Sequence, residues 1–296
     1  MPKGLIIKGV GGRYTVGDGE NIFECTARGI FRKNKINPLP GDVVEYNKSD
    51  ENTEAVIDLI YERRNCLIRP AVANVDNLVI FMSATKPEAD LLLLDKLIIS
   101  AFKDDLNVIL CINKCDSEME TNLALRKFKA YSDIGIGLMC LSAKNDINID
   151  LLSSRLDDSV SVFAGQSGAG KSTTINALMN GSIMETGELS LKNNRGKHTT
   201  RHTELFRLPS DGYIVDTPGF SSYDLIQLDI QELVSLYPEF SRYTNKCRFK
   251  ECIHINEPDC AVKNALEEGT IDQGRYDRYK IFADIVKQRE INKYKG

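Results

Sequence analysis

The sequence predicts an α/β protein in three parts, and three observations predict it. Residues 1 to about 65 fall into short β-prone runs set off by turn residues, the pattern of a small closed barrel, OB-like or SH3-like, with OB-like preferred. From about residue 77 to residue 216, apolar strands and amphipathic helices alternate, which specifies a mostly parallel sheet with helices on both faces. Beyond Phe220 the strand pattern stops, and three cysteines gather around a histidine in a mostly helical stretch. The expected division is a barrel over 1–65, the sheet domain over 66–222 and a helical, metal-stapled module with a basic tail over 223–296.

A chain of 296 residues with a formal net charge of −4 has room for two or three domains and no global pull towards nucleic acid, so any such contact must come from local patches. No apolar run is long enough for a signal peptide or a membrane span, and a cytoplasmic, monomeric protein without a membrane partner is expected. Of eight cysteines, Cys25, Cys66, Cys111, Cys115 and Cys140 are scattered, several within apolar runs, which reads as buried thiols rather than disulfides.

The barrel strands are expected at Gly4–Val10, Arg13–Val16, Asn21–Ala27, Asp42–Tyr46 and Glu54–Ile60, with turns at Gly11-Gly12, Gly17–Gly19 and Pro38–Asp42. Arg28, Arg32, Lys33 and Lys35 surround Phe31 in a loop that either binds RNA or is simply solvated. Glu62–Pro70 reads as a connector. Strands follow at Asn77–Ser83, Asn107–Ile112, Gly137–Leu141, Val160–Ala164 and Tyr213–Asp216, and helices at Asp90–Phe102, Thr121–Tyr131, Ile147–Leu156 and Thr173–Met179. In the last part, helices are expected at Leu225–Tyr237, Ala261–Leu266 and Tyr276–Lys295. Residues 275–296 carry seven cations against three acids, which reads as a solvated helix or an RNA contact.

The chemistry is written at the strand ends. Gly165, Gln166, Ser167, Gly168, Ala169, Gly170, Lys171, Ser172 and Thr173 form a P-loop between a strand and a helix. Its backbone N–H groups can cradle phosphates, Lys171 can reach the β- and γ-phosphates, and Ser172 can ligate Mg²⁺. Asn113, Lys114, Cys115 and Asp116 spell Asn-Lys-x-Asp, whose carboxylate accepts from two guanine N–H groups that adenine lacks. Ser142, Ala143 and Lys144 form the companion that touches the guanine edge through backbone N–H groups. Asp216-Thr-Pro-Gly219 offers a carboxylate that holds Mg²⁺ through water and a Gly219 N–H that senses the γ-phosphate. Between them, the stretch Gly196–His202 holds a threonine for Mg²⁺ and γ-phosphate, Thr200 in preference to Thr199. The guanine motifs precede the P-loop instead of following it, so the domain is circularly permuted.

Cys247, Cys252, His254 and Cys260 supply three thiolates and one imidazole, a four-ligand set suited to one structural Zn²⁺. The alternative is a chance gathering of surface thiols with a stray imidazole.

Together these residues resemble the RsgA family (also called YjeQ or YloQ), circularly permuted GTPases that depend on the small ribosomal subunit. The resemblance rests on the barrel, Asn113-Lys-Cys-Asp116, Ser142-Ala-Lys144, the P-loop, Gly196-Lys-His-Thr-Thr-Arg201, Asp216-Thr-Pro-Gly-Phe220 and the Cys247–Cys260 pattern. It implies a circularly permuted P-loop GTPase domain that hydrolyses GTP to GDP in late maturation of the small subunit, binds its rRNA and is stimulated by it. Where many GTPases have a water-orienting Gln, this chain has Phe220, so slow intrinsic hydrolysis is expected. The resemblance carries a catalytic role to His198, alongside Lys171 and Thr200. Ala169 stands where the family more often has Val. Two rivals remain open: a GTP-gated RNA-binding assembly factor with incidental hydrolysis, and a P-loop ATPase or metabolic kinase.

Overall fold

The computed structural model describes residues 1–19, 21–47, 55–179, 203–215 and 228–293. Strands β1 (Lys3–Val10), β2 (Arg13–Asp18), β3 (Asn21–Ala27), β4 (Val43–Asn47) and β5 (Ala55–Ile60) close into a barrel in the order β1-β2-β3-β5-β4. Alternation along each strand sends Ile6, Tyr14, Val16, Cys25, Val44, Tyr46 and Ile57 into one core. The basic stretch expected as a loop contains a short helix, α1 (Gly29–Lys33), anchored by the buried ring of Phe31. Arg28 is ion-paired to Asp58 at 2.5 Å.

The stretch expected to be a plain connector is instead a hairpin, β6 (Cys66–Ile68) and β7 (Ala71–Ala73), and it makes the seam to the barrel. Ala73 N–H donates to Pro40 O (2.9 Å), and the Asn74 side chain donates to Gly41 O (2.8 Å). Contact is so close that a Cβ on Gly41, whose φ is +88°, would lie 2.0 Å from Ala73 O. Beside it the fully buried Asp42 carboxylate accepts from Leu39 N–H and from Arg63 Nε and Nη2 at 2.6 and 2.8 Å.

The central sheet comprises β8 (Asn77–Ser83), β9 (Asn107–Asn113), β10 (Gly137–Cys140), β11 (Val160–Gly165), β12 (Leu205–Arg207) and β13 (Tyr213–Val215), in the order β10-β9-β8-β11-β13-β12. All pairs are parallel except β12 against β13, a short antiparallel edge strand with no clear period in the sequence. Lys8 of the barrel bridges to Glu204 beside this edge (2.7 Å), and Arg207 donates to Gly19 O (2.6 Å). Successive residues of β8 serve opposite faces. Leu78, Ile80 and Met82 pack with α2 (Leu91–Lys103), α3 (Glu118–Lys127) and α4 (Lys129–Asp133); Val79 and Phe81 pack with α5 (Ile149–Arg155) and α6 (Lys171–Leu178). The expected single helix through 121–131 is split at Phe128, whose fully buried ring sits at a non-helical junction. Strands β8, β9 and β10 step outward in one direction and β11 returns to the other side of β8, which opens a crevice at their C-terminal ends.

The last part packs α7 (Ile230–Ser235), α8 (Pro238–Ser241), α9 (Ala261–Glu267) and α10 (Gln273–Lys293) around Tyr237, Phe240, Tyr279 and Phe282. Ile99 of α2 completes this core. The expected basic tail needs correction at its start. Arg275 is 2% exposed, bonded to Asp95 of α2 (2.7 Å) and to Glu239 (2.5 Å), and flanked by the rings of Tyr131 and Tyr237. Arg278 also bonds Asp95. Burial opposes the charge on Arg275, but Asp95 and Glu239 outweigh it and raise its pKa. These two cations are structural and offer nothing to RNA. No helix among the described residues is long and apolar enough to cross a membrane.

Arg63→Ala leaves the buried Asp42 carboxylate without its counter-charge. Because Arg63 is itself partly exposed, the expected cost is near the lower end for a buried pair, about 3 kcal/mol. A lower denaturation midpoint followed by circular dichroism checks it.

Candidate nucleotide site and metal centre

All the described guanine and phosphate motifs stand at the C-terminal ends of neighbouring strands. Asn113 ends β9, Ser142 follows β10, and the P-loop leaves β11 at Gly165, beside β8, where Gln166 N–H donates to Phe81 O. One side chain joins them. The Asn113 carboxamide accepts from Lys114 N–H (2.8 Å) and Ala143 N–H (3.1 Å) and donates to Ala169 O (3.0 Å). It lies so close to the loop that a Cβ on Gly170 would be 2.1 Å from Asn113 Nδ2. Lys114 adds a second tie, donating from Nζ to Gly168 O (2.8 Å) and Lys86 O (2.5 Å).

Asp116 is exposed at the crevice, and Ser142 Oγ donates to it at 2.5 Å, fixing its orientation. Lys144, Ser167, Gly168, Ser172 and Thr173 are exposed around the crevice, with Lys171 half-buried at the start of α6. Two of the expected nucleotide residues turn inward. Cys115 is buried with its thiol donating to Ile112 O (3.3 Å), and Ala169 is fully buried in the core beneath the loop. Gln166 does not face the crevice with its side chain either: Nε2 donates to Glu88 O (2.6 Å), and Oε1 accepts from Asp90 N–H (3.0 Å). His198, Thr200, Asp216, Gly219 and Phe220 lie outside the described residues.

The Cys/His set does come together. The ligand atoms of Cys247, Cys252, His254 and Cys260 lie within 4.8 Å of one another. Cys247 Sγ is 3.9 Å from Cys260 Sγ and 3.6 Å from His254 Nδ1, which is 3.3 Å from Cys260 Sγ. A tetrahedral ion with bonds of about 2.3 Å to sulfur and about 2.0 Å to nitrogen requires edges of this size. Burial pushes the Cys252 thiol up to about 12 and raises Cys260, and it lowers the His254 imidazole. Thiolates at this depth need a cation to compensate them, and a neutral imidazole is ready to ligate. Nδ1 faces the thiols, while Nε2 is buried without a hydrogen-bond partner near the ring of Phe240.

Sequence reasoning missed what holds this loop. The Glu257 carboxylate accepts from the N–H groups of Ile253 (2.8 Å), Ile255 (2.9 Å) and Asn256 (3.0 Å). Burial opposes its charge, but those three donors outweigh it and hold its pKa below the usual carboxylate range. From the other side, α10 donates Tyr276 OH to His254 O (2.6 Å) and Tyr279 OH to Ile253 O (2.5 Å). A single Glu two residues after Ile255 carries no spacing signal, so only the folded loop reveals the role.

A parallel sheet with a P-loop at its switch point, and with the base-reading motifs ahead of that loop in the chain, defines a circularly permuted P-loop GTPase fold. The RsgA GTPase family matches residues 60–226 and the RsgA N-terminal domain family residues 3–57, and the chain belongs to the RsgA family. A small ribosomal subunit biogenesis GTPase RsgA from Ruminiclostridium cellulolyticum is 46% identical, over 100% of this chain and 97% of its own. The protein of the same name from Alkaliphilus metalliredigens is 42% identical over 98% and 99%. Among solved structures, the circularly permuted GTPase YloQ is 34% identical with a TM-score of 0.82, covering 98% of this chain and 96% of its own. YjeQ from Thermotoga maritima is 31% identical with a TM-score of 0.83, covering 96% and 98%.

Asn113→Ala removes a side chain that touches all three loops named here, leaving Ala169 O and Ala143 N–H without that partner. Nucleotide affinity should fall by about tenfold or more, read by titration with a fluorescent GDP analogue. Glu257→Ala should weaken metal binding about 10- to 100-fold, measured by competition with a chromophoric chelator.

Proposed function

We propose that this protein hydrolyses GTP to GDP in the biogenesis of the small ribosomal subunit, binding the subunit's rRNA and being stimulated by it. The observation that carries the nucleotide reading is the convergence of Asp116, Ser142 and the P-loop on one crevice, tied by the Asn113 carboxamide. The ribosomal part is supported by the names of relatives that match nearly the whole chain.

In this reading the Asp116 carboxylate accepts from guanine, Lys114 lies along the base, and Ala143 and Lys144 meet the base edge. The loop from Gly165 to Thr173 wraps the phosphates with its N–H groups, and Lys171 balances their charge. Cys115 and Ala169 serve by packing the backbone of these loops from beneath. Bound Mg²⁺ would neutralise phosphate charge, held by Ser172 together with Thr200 and Asp216. His198 orients the attacking water in place of the Gln that Phe220 displaces, and Gly219 reads the γ-phosphate; the family resemblance supports these assignments. The Cys247–Cys252–His254–Cys260 centre holds one structural Zn²⁺, supported by the donor set and its tetrahedral edges. The barrel over 1–65 and the zinc module over 223–296 contact the ribosomal particle, and the GTPase domain over 66–222 works between them, in the cytoplasm.

Phe220 favours a second reading, in which GTP gates RNA affinity and hydrolysis is incidental. Turnover measured with and without purified small subunits separates the two. Stimulation of about tenfold or more is expected, and its loss in His198→Ala would assign the water; unchanged stimulated turnover in that variant removes the role of His198. Asp116→Asn should shift base preference from guanine towards xanthine, and indifference to it would return the site to an ATPase or kinase.

A further inference from the structure

Two helices join the nucleotide crevice to the metal centre without a break. At the crevice end, the Gln166 side chain grips the entry to α2 by both its amide atoms, donating to Glu88 O and accepting from Asp90 N–H. Asp90 in turn caps α2 by accepting from Leu93 N–H (2.9 Å). One turn further on, α2 presents Asp95, fully buried, to Arg275 and Arg278 of α10. Ile99 and Lys103 continue the contact, the first inside the C-terminal core and the second 3.6 Å from Glu232.

Helix α10 has two working faces one residue out of phase. Arg275 and Arg278 point to α2, while Tyr276 and Tyr279 donate to the carbonyls of His254 and Ile253 in the metal-ligand loop. The joint is stiff because its members hold one another. Arg275 lies between the rings of Tyr131 and Tyr237 at 5.2 and 5.3 Å and also bonds Glu239, so displacing it leaves buried carboxylates without their counter-charge. A shift of the phosphate loop that moves Gln166 either breaks its two exposed bonds to Glu88 and Asp90 or carries the entry of α2 with it, and a moved α2 carries α10 or breaks buried charged hydrogen bonds.

We propose that α2 and α10 form a strut, jointed at Asp95, Arg275 and Arg278, through which nucleotide and metal occupancy alter each other's affinity. The inference rests on the nucleotide and zinc readings given above. Linkage makes the coupling reciprocal, so it can be read from either end.

The test uses the full chain loaded with Zn²⁺. Zinc affinity is measured by chelator competition without nucleotide, with saturating GDP and with a non-hydrolysable GTP analogue. The expected result is a zinc affinity that differs between nucleotide states by about fivefold or more. In Arg278→Met and Asp95→Asn the protein should still bind both ligands, with that difference reduced towards one. If both ligands bind the wild-type chain and zinc affinity ignores the nucleotide, the strut is refuted. If Arg278→Met, which touches only the joint and leaves Arg275 to pair Asp95, keeps the full difference, the proposed route is refuted even should Asp95→Asn fail to fold. Failure to bind zinc or guanine nucleotide at all would instead overturn the reading on which the proposal rests.

Discussion

The site depends on one carboxamide. Asn113 spends both of its polar atoms on backbone, and the groups it meets belong to three loops that are distant in sequence. A buried backbone group without a partner is costly, so the Ala169 carbonyl gains most from Asn113 and the part-buried Lys114 and Ala143 N–H groups gain less. Strands β9 and β11 are separated in the chain by α3, α4, β10 and α5, and covalent connection alone does not fix their relative height at the crevice.

A different kind of bond holds the third part of the molecule. Two arginines and two carboxylates gather where α2, α8 and α10 meet, between tyrosine rings and away from water. Such a set is not cheap to bury, and an apolar replacement of the same volume could be as stable. What an ion network adds is a steep cost for separation, because moving either helix strands a buried charge. The sheet domain and the Cys/His module are thus held in one register, whereas the barrel is joined through a hairpin seam and a sheet edge.

Much of this was legible beforehand because the relevant signals are local. The five barrel strands, the parallel sheet and the glycine loop follow from alternation, apolar runs and turn residues. Cys247, Cys252, His254 and Cys260 were readable as a set because metal ligands are chemically distinctive. The parts that were not legible are those made by long-range contact. Arg275 and Arg278 looked like tail cations because sequence cannot show Asp95 facing them from 180 residues away. The β6–β7 hairpin was too short for a period to show, and β12 owes its strand to pairing with β13 rather than to its own residues. Glu257 and the side chain of Gln166 act on backbone atoms, which leave no trace in residue type.

The barrel's contact at Glu204 has a consequence for solubility as well as assembly. β12 is an edge strand, and an open sheet edge offers unpaired backbone groups to any other extended chain. By laying Lys8 and Gly19 against Glu204 and Arg207, the barrel lends the sheet a cover at that edge. A chain without its N-terminal barrel would leave Glu204 and Arg207 without these partners and this edge uncovered towards another extended segment.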